Sequence, residues 1–146
     1  MFDQPDVQNS SEMPIPARRA AHVSELTNLR EICRSMSESG SGAVLVDNPI
    51  GPGGLVLASD IIAALASGAD PDTAWAAEIM RPAPRMVRSD QHPVEVGSEM
   101  ATHELEVVAV FDGTDSLRVA SALDVLRAVI RVTEELGYPR GSARTR

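Results

Sequence analysis

GGLVLASDIIAAL, residues 53–65, and LRVASALDVLRAV, residues 117–129, align without a gap at an offset of 64 residues. Asp60 falls on Asp124, and Ile61, Ile62, Ala64 and Leu65 fall on Val125, Leu126, Ala128 and Val129. The match continues upstream at the same offset. Val44 and Val46 fall on Val108 and Val110, Met36 on Met100, Glu31 and Ile32 on Glu95 and Val96, and Val23 on Val87. Apolar positions meet apolar positions throughout. Duplicated sequence means duplicated structure, and the period is too long for a solenoid. Two copies imply a pseudo-two-fold pair with a cleft along its axis, and clefts between repeated units are common ligand sites.

Each copy has the same grammar. Leu26, Leu29, Ile32, Cys33 and Met36 recur at helical spacing, and Ser39-Gly40-Ser41-Gly42 ends that helix. Ala43 to Val46 reads as a short buried strand, the turn DNPIGPGG follows, and Leu55 to Leu57 is a second strand. Asp60 opens a helix through Ala66 that Gly68 terminates. In the second copy a strand lies near Met86-Val87, and a helix starts at Pro93, where proline is tolerated in the first turn. Val107 to Phe111 and Leu117 to Ala120 are strands, and a last helix runs from about Ala122 to Leu136. The unit is β-α-β-β-α, an α+β (mixed α/β) class. The expected division is an N-terminal tail over 1–20, a first repeat over 21–68, a connector over 69–82, a second repeat over 83–136 and a C-terminal tail over 137–146, beyond which Gly137 and Pro139 stop the helix.

Composition narrows the function. A chain of 146 residues buries one respectable core, or two small ones that share an interface. Aromatic content is only 3%, so the core is aliphatic. All 13 basic residues are arginine, which reads as codon bias, and the formal net charge is -8. A field of that sign repels nucleic acid and anionic membrane surfaces. The lone Cys33 forms no internal disulfide, the start lacks the apolar segment of a signal peptide, and no stretch approaches the ~20 apolar residues of a membrane span. These readings together suggest a cytoplasmic protein. His22, His92 and His103 are dispersed and lack metal-ligand spacing, so no metal site is expected.

The order and spacing of SGAVLV, GGLVLASDIIAAL, AAEIMRPAPRMV, EVVAVFDG and LRVASALDVLRAV resemble the cystathionine-β-synthase (CBS) domain pair, or Bateman module, over residues 22–132. The resemblance implies a tandem pair packed sheet against sheet, with two clefts that bind adenine nucleotides in many members. In that family a (T/S)-x-x-D motif supplies the polar contacts, its Asp to ribose hydroxyls and its Thr or Ser to phosphate. The second copy keeps the motif as Ser121-Ala122-Leu123-Asp124; the first reads Leu57-Ala58-Ser59-Asp60, without the hydroxyl. The resemblance therefore implies binding residues Ser121 and Asp124, with Asp60 as a degenerate counterpart. It sets the purine against Met86 and Val87 and against the strand holding Val108 and Val110. Arg118 replaces a glycine and either adds phosphate affinity or fills the cleft.

Blander readings stand beside these. Asp is a favoured helix N-cap, which suffices for Asp60 and competes with ligand contact for Asp124. Arg81, Arg85 and Arg88 line an anion site or form a solvated basic face. Cys33 reads as core, and Trp75 as a clamp between the copies. The function expected is a stand-alone, non-catalytic regulatory or sensor module for signal transduction. It would bind an adenosyl ligand (AMP, ADP, ATP or S-adenosylmethionine), use no cofactor, form a homodimer and signal to an unknown protein partner. The alternative is a ligand-free dimeric adaptor with degenerate nucleotide sites. Ile61, Leu65, Leu126 and Ile130 are the candidate interface or core positions.

Overall fold

Two packed four-stranded sheets, each backed by its own helices, make up the chain. The structure, a computed structural model, describes residues 15–114 and 117–135. The expected C-terminal tail, with Gly137, Pro139 and Arg140, Arg144 and Arg146, and the N-terminal residues 1–14 lie outside the described residues.

In chain order the elements are β1 (Arg18–Arg19), β2 (Ala21–Ser24), α1 (Leu29–Ser39), β3 (Ala43–Asn48), β4 (Gly51–Leu57), α2 (Ala58–Ala66), α3 (Ala76–Ile79), β5 (Arg81–Pro82), β6 (Met86–Arg88), α4 (Pro93–His103), β7 (Val107–Phe111), β8 (Leu117–Ser121) and α5 (Ala122–Glu135). One sheet has the order β2-β3-β4-β5 and the other β1-β8-β7-β6. Strand registers repeat at the sequence offset. Val23 stands opposite Val46 in a parallel pair as Val87 stands opposite Val110. Val44 stands opposite Val56 in an antiparallel pair as Val108 stands opposite Ala120.

Strand alternation sorts the apolar residues into three cores. Val44, Val46 and Val56 face the helices of the first unit with Leu29, Ile32, Met36 and Ile61. Val108, Val110 and Ala120 do the same in the second with Val87, Val96, Met100 and Val125. The opposite faces of β3, β4 and β8 send Ala43, Leu45, Leu55, Leu57, Leu117 and Val119 into a core shared by the two sheets. Burial on both faces explains why these strands read as continuous apolar runs.

The edge strands are exchanged between the units. β1 precedes the first unit's β2 but pairs antiparallel with β8 of the second, Arg18 opposite Val119. β5 precedes the second unit's β6 but pairs antiparallel with β4 of the first, Arg81 opposite Leu55. Residues 15–20 therefore correct the expected N-terminal tail: Ile15 is buried in the second unit's core and Ala20 in the shared one. The segment shows no periodicity because only two of its residues join a strand. Gly54 permits the other exchange, since a Cβ there would lie 2.6 Å from Met80 Sδ and 2.9 Å from the Arg81 carbonyl.

Further expectations are corrected. α1 starts after the Asn28 cap, whose side chain accepts from Glu31 N–H at 2.9 Å, so Leu26 precedes the helix and is exposed. The buried face of α1 holds Leu29, Ile32 and Met36, and Cys33 falls beside it in solvent. Trp75, expected to clamp the copies together, is partly exposed, and its backbone bridges to Asn28 of the first unit. α2 starts at Ala58, which places Asp60 in its first turn rather than at its opening.

Candidate functional site

β4 and β8 each run directly into a helix, and the junctions are related by the repeat. The first helical N–H of α2, from Ala58, donates to the Gly42 carbonyl at 2.8 Å; that of α5, from Ala122, donates to the Glu106 carbonyl at 3.1 Å. The two helix starts flank one open cleft of about 350 Å³. Its walls are Ser41–Ala43 and Leu57–Ser59 from the first unit, Glu106–Val107, Val119–Ser121, Leu123, Asp124 and Arg127 from the second, and Arg18 from β1. That volume lies in the usual range for small-molecule sites, about 300–1,000 Å³.

Ser121 and Asp124 form a reciprocal cap. The Ser121 N–H donates to Asp124 Oδ2 at 2.9 Å and its hydroxyl donates to the same oxygen at 3.0 Å. The Asp124 N–H in turn reaches Ser121 Oγ at 3.2 Å. Asp124 is only 7% exposed, and its Oδ1 has no hydrogen-bond partner among the described residues. A buried carboxylate oxygen is costly to leave unpaired. Asp124 borders the cleft, which gives a ligand hydroxyl access to this residue.

The first unit's carboxylate is committed elsewhere. Leu57 N–H donates to Asp60 Oδ2 at 2.9 Å, but no hydroxyl completes the cap. The Arg81 guanidinium fills the gap: Nε lies 3.0 Å from Oδ1 and 2.9 Å from Oδ2, and Nη2 lies 2.8 Å from Oδ1. These hydrogen bonds raise the Arg81 pKa above its already high value, so the clamp is permanently charged. A second, smaller cleft of about 240 Å³ sits at the related position, walled by Leu55, Leu57, Arg81–Arg85 and Glu104–Val107. Asp60 borders neither cleft.

Of the residues expected to bind, the structure brings Ser121 and Asp124 to the cleft and leaves the others out. Val87, Val108 and Val110 face α4 and α5 in the second unit's core, and Met86 is half-exposed away from the cleft. The reason is strand parity: Val108 and Val110 point to the helix face, and Val107 points to the cleft. Arg118 also falls outside the cleft. Arg81 and Arg85 share the wall of the smaller cleft and Arg88 lies outside it; each of the three pairs with an acid, Asp60, Glu99 and Asp90 respectively. Arg18 and Arg127, by contrast, border the cleft and have no ion pair among the described residues. Among the described residues no group of three or more His, Cys, Asp or Glu can hold a metal.

No protein-family model matches the chain, and no curated protein does. Solved structures match its fold. A protein with CBS domains from Burkholderia ambifaria is 24% identical at a TM-score of 0.69, covering 85% of this chain and 92% of its own. A CBS domain protein from Pyrobaculum aerophilum, complexed with AMP, is 21% identical at 0.66, covering 82% and 95%. The CBS domain of a bacterial CNNM/CorC family Mg²⁺ transporter, in complex with ATP, is 16% identical at 0.63, covering 86% and 93%. The chain thus has the fold of a CBS-domain pair.

Proposed function

We propose that the protein is a non-catalytic regulatory module that binds one adenosyl ligand per chain in the Ser121/Asp124 cleft. The observation that carries this reading is Asp124: a buried carboxylate with one unpaired oxygen, on a residue that borders an open cleft where two helix starts meet. A carboxylate oxygen accepts ribose hydroxyls well, and helix N-termini favour a phosphate nearby. Structures of the same fold hold AMP and ATP, which supports the ligand class. No helix among the described residues is long and apolar enough to cross a membrane. Signalling would pass to a partner protein through a homodimer.

Calorimetric titration with AMP, ADP, ATP and S-adenosylmethionine tests this. One site per chain is expected. Asp124→Ala weakens binding about tenfold or more, since the ribose hydroxyls lose their acceptor. Asp60→Ala changes affinity much less, because that carboxylate borders no cleft. Two equal sites, or a larger effect of Asp60→Ala, would show that the wrong cleft has been chosen. The Arg81 clamp on Asp60 favours a second reading, a dimeric adaptor without ligand. That reading replaces the first if no adenine compound binds at millimolar concentration.

A further inference from the structure

The two exchanged edge strands carry an arginine at the same register, and only one of them is committed. On β5, Arg81 stands opposite Leu55, and its side chain crosses to the Asp60 carboxylate. On β1, Arg18 stands opposite Val119, which is related to Leu55 by the repeat. Ser121 lies two residues beyond Val119 on the same face of β8, so Arg18 and Ser121 are diagonal cross-strand neighbours. Such pairs lie roughly 7–8 Å apart at the backbone, within reach of a long side chain. Arg81 shows that an arginine in this register does reach the motif carboxylate. Arg18 borders the same cleft as Asp124 yet makes no ion pair among the described residues. The two carboxylates also differ in their local partners. Ser121 N–H and hydroxyl already occupy Asp124 Oδ2, whereas Leu57 offers Asp60 only its N–H.

We infer that Arg18 is the specificity-determining residue of the cleft: it reads a phosphate on the ligand and selects a nucleotide over an uncharged nucleoside or a sulfonium ligand. The inference rests on the adenosyl reading above. With Asp124 taking the ribose, the 5′-phosphate is the ligand's anionic group, and Arg18 and Arg127 are the cations that border the cleft. An uncommitted guanidinium there supplies charge-assisted hydrogen bonds in a planar fork suited to phosphate. The same positive charge disfavours the sulfonium of S-adenosylmethionine. Arg127, on α5 at the same cleft, is the competing cation and serves as the control.

Titration of the full chain with adenosine, AMP and S-adenosylmethionine separates these contributions. The intact protein binds AMP about tenfold or more tightly than adenosine, the worth of one hydrogen bond to a charged group. Arg18→Gln removes that advantage and leaves adenosine affinity unchanged, which also shows that the cleft is still folded. Arg18→Lys restores part of it, and Arg127→Gln preserves most of it. The inference is overturned if Arg18→Gln keeps the AMP advantage, if it weakens adenosine and AMP equally, or if Arg127→Gln alone abolishes the advantage. Equal binding of AMP, adenosine and S-adenosylmethionine overturns it while leaving the adenosyl reading standing. Failure of all three to bind the intact protein removes the adenosyl reading, and this inference with it.

Discussion

Asp60 and Asp124 occupy one position of the repeat and differ in what surrounds them. A serine three residues upstream gives Asp124 a neutral hydroxyl partner and leaves one oxygen unpaired among the described residues, on a residue that borders the cleft. A leucine in that place leaves Asp60 to a guanidinium from the connector. One hydroxyl thus separates an open site from a closed one. Gly40 and Glu104 form another unequal pair, again 64 residues apart. Both end the first helix of their unit in the left-handed conformation, Gly40 at φ 73° and Glu104 at φ 54°. Glycine adopts that conformation freely, whereas a residue with a Cβ is strained there. Glu104→Gly is therefore expected to stabilise the protein by about 0.5–1 kcal/mol, the strain relieved less the extra freedom of the unfolded chain. Urea unfolding checks it, and a destabilised variant would show that the Glu104 side chain contributes more than its backbone costs.

The elements that decide the architecture are the two shortest strands. β1 and β5 pair only two residues each, yet they carry Arg18 and Arg81 across to the opposite unit. Ile15 anchors the first exchange, 6% exposed within the second unit's core. Ile15→Ala is expected to cost about 2–4 kcal/mol, the range for deleting a buried aliphatic side chain. Denaturant unfolding of the full chain measures it. A loss below 0.5 kcal/mol would mean that the segment does not stay docked in solution. Neither strand announces itself by pattern, because two residues cannot establish an alternation.

At the scale of the whole molecule the units depend on each other and leave a face uncovered. The core between the sheets contains Leu45, Leu55, Leu57, Leu117 and Val119. Separating the units exposes these side chains, each worth about 1.5–3 kcal/mol, against a half already near the size where stability is marginal. A chain ending at Ala83 is expected to be unfolded or aggregated by circular dichroism and light scattering; a monomeric half with a cooperative melt contradicts this. Ile61 turns out to be core, whereas Ile62, Leu65, Leu126 and Ile130 are exposed on α2 and α5, Ile62 at 67% and Leu126 at 50%. Apolar residues gathered on two related helices suit a second copy of the chain. Sedimentation is expected to show a dimer at micromolar concentration and a monomer for Leu126→Glu. A monomeric parent protein would end the homodimer proposal.

Periodicity and the internal offset were enough to indicate the two units, their helices and central strands, because these are local patterns that the chain states twice, while the Ser121/Asp124 motif was legible only through the resemblance to the CBS family. The same resemblance implied that Asp60 is the degenerate counterpart, through the missing hydroxyl at Leu57. Only the tertiary structure decided which residues meet in the cleft. Its walls come from both units and from an exchanged strand, so Arg18, Ser41–Ala43 and Glu106 gather there from distant parts of the sequence. Parity in the folded sheets sent Val108 and Val110 to the helix side and Val107 to the cleft. The fate of Arg18 and Arg81 depended on long-range strand pairing, since a side chain's partner is set by what the fold places within its reach.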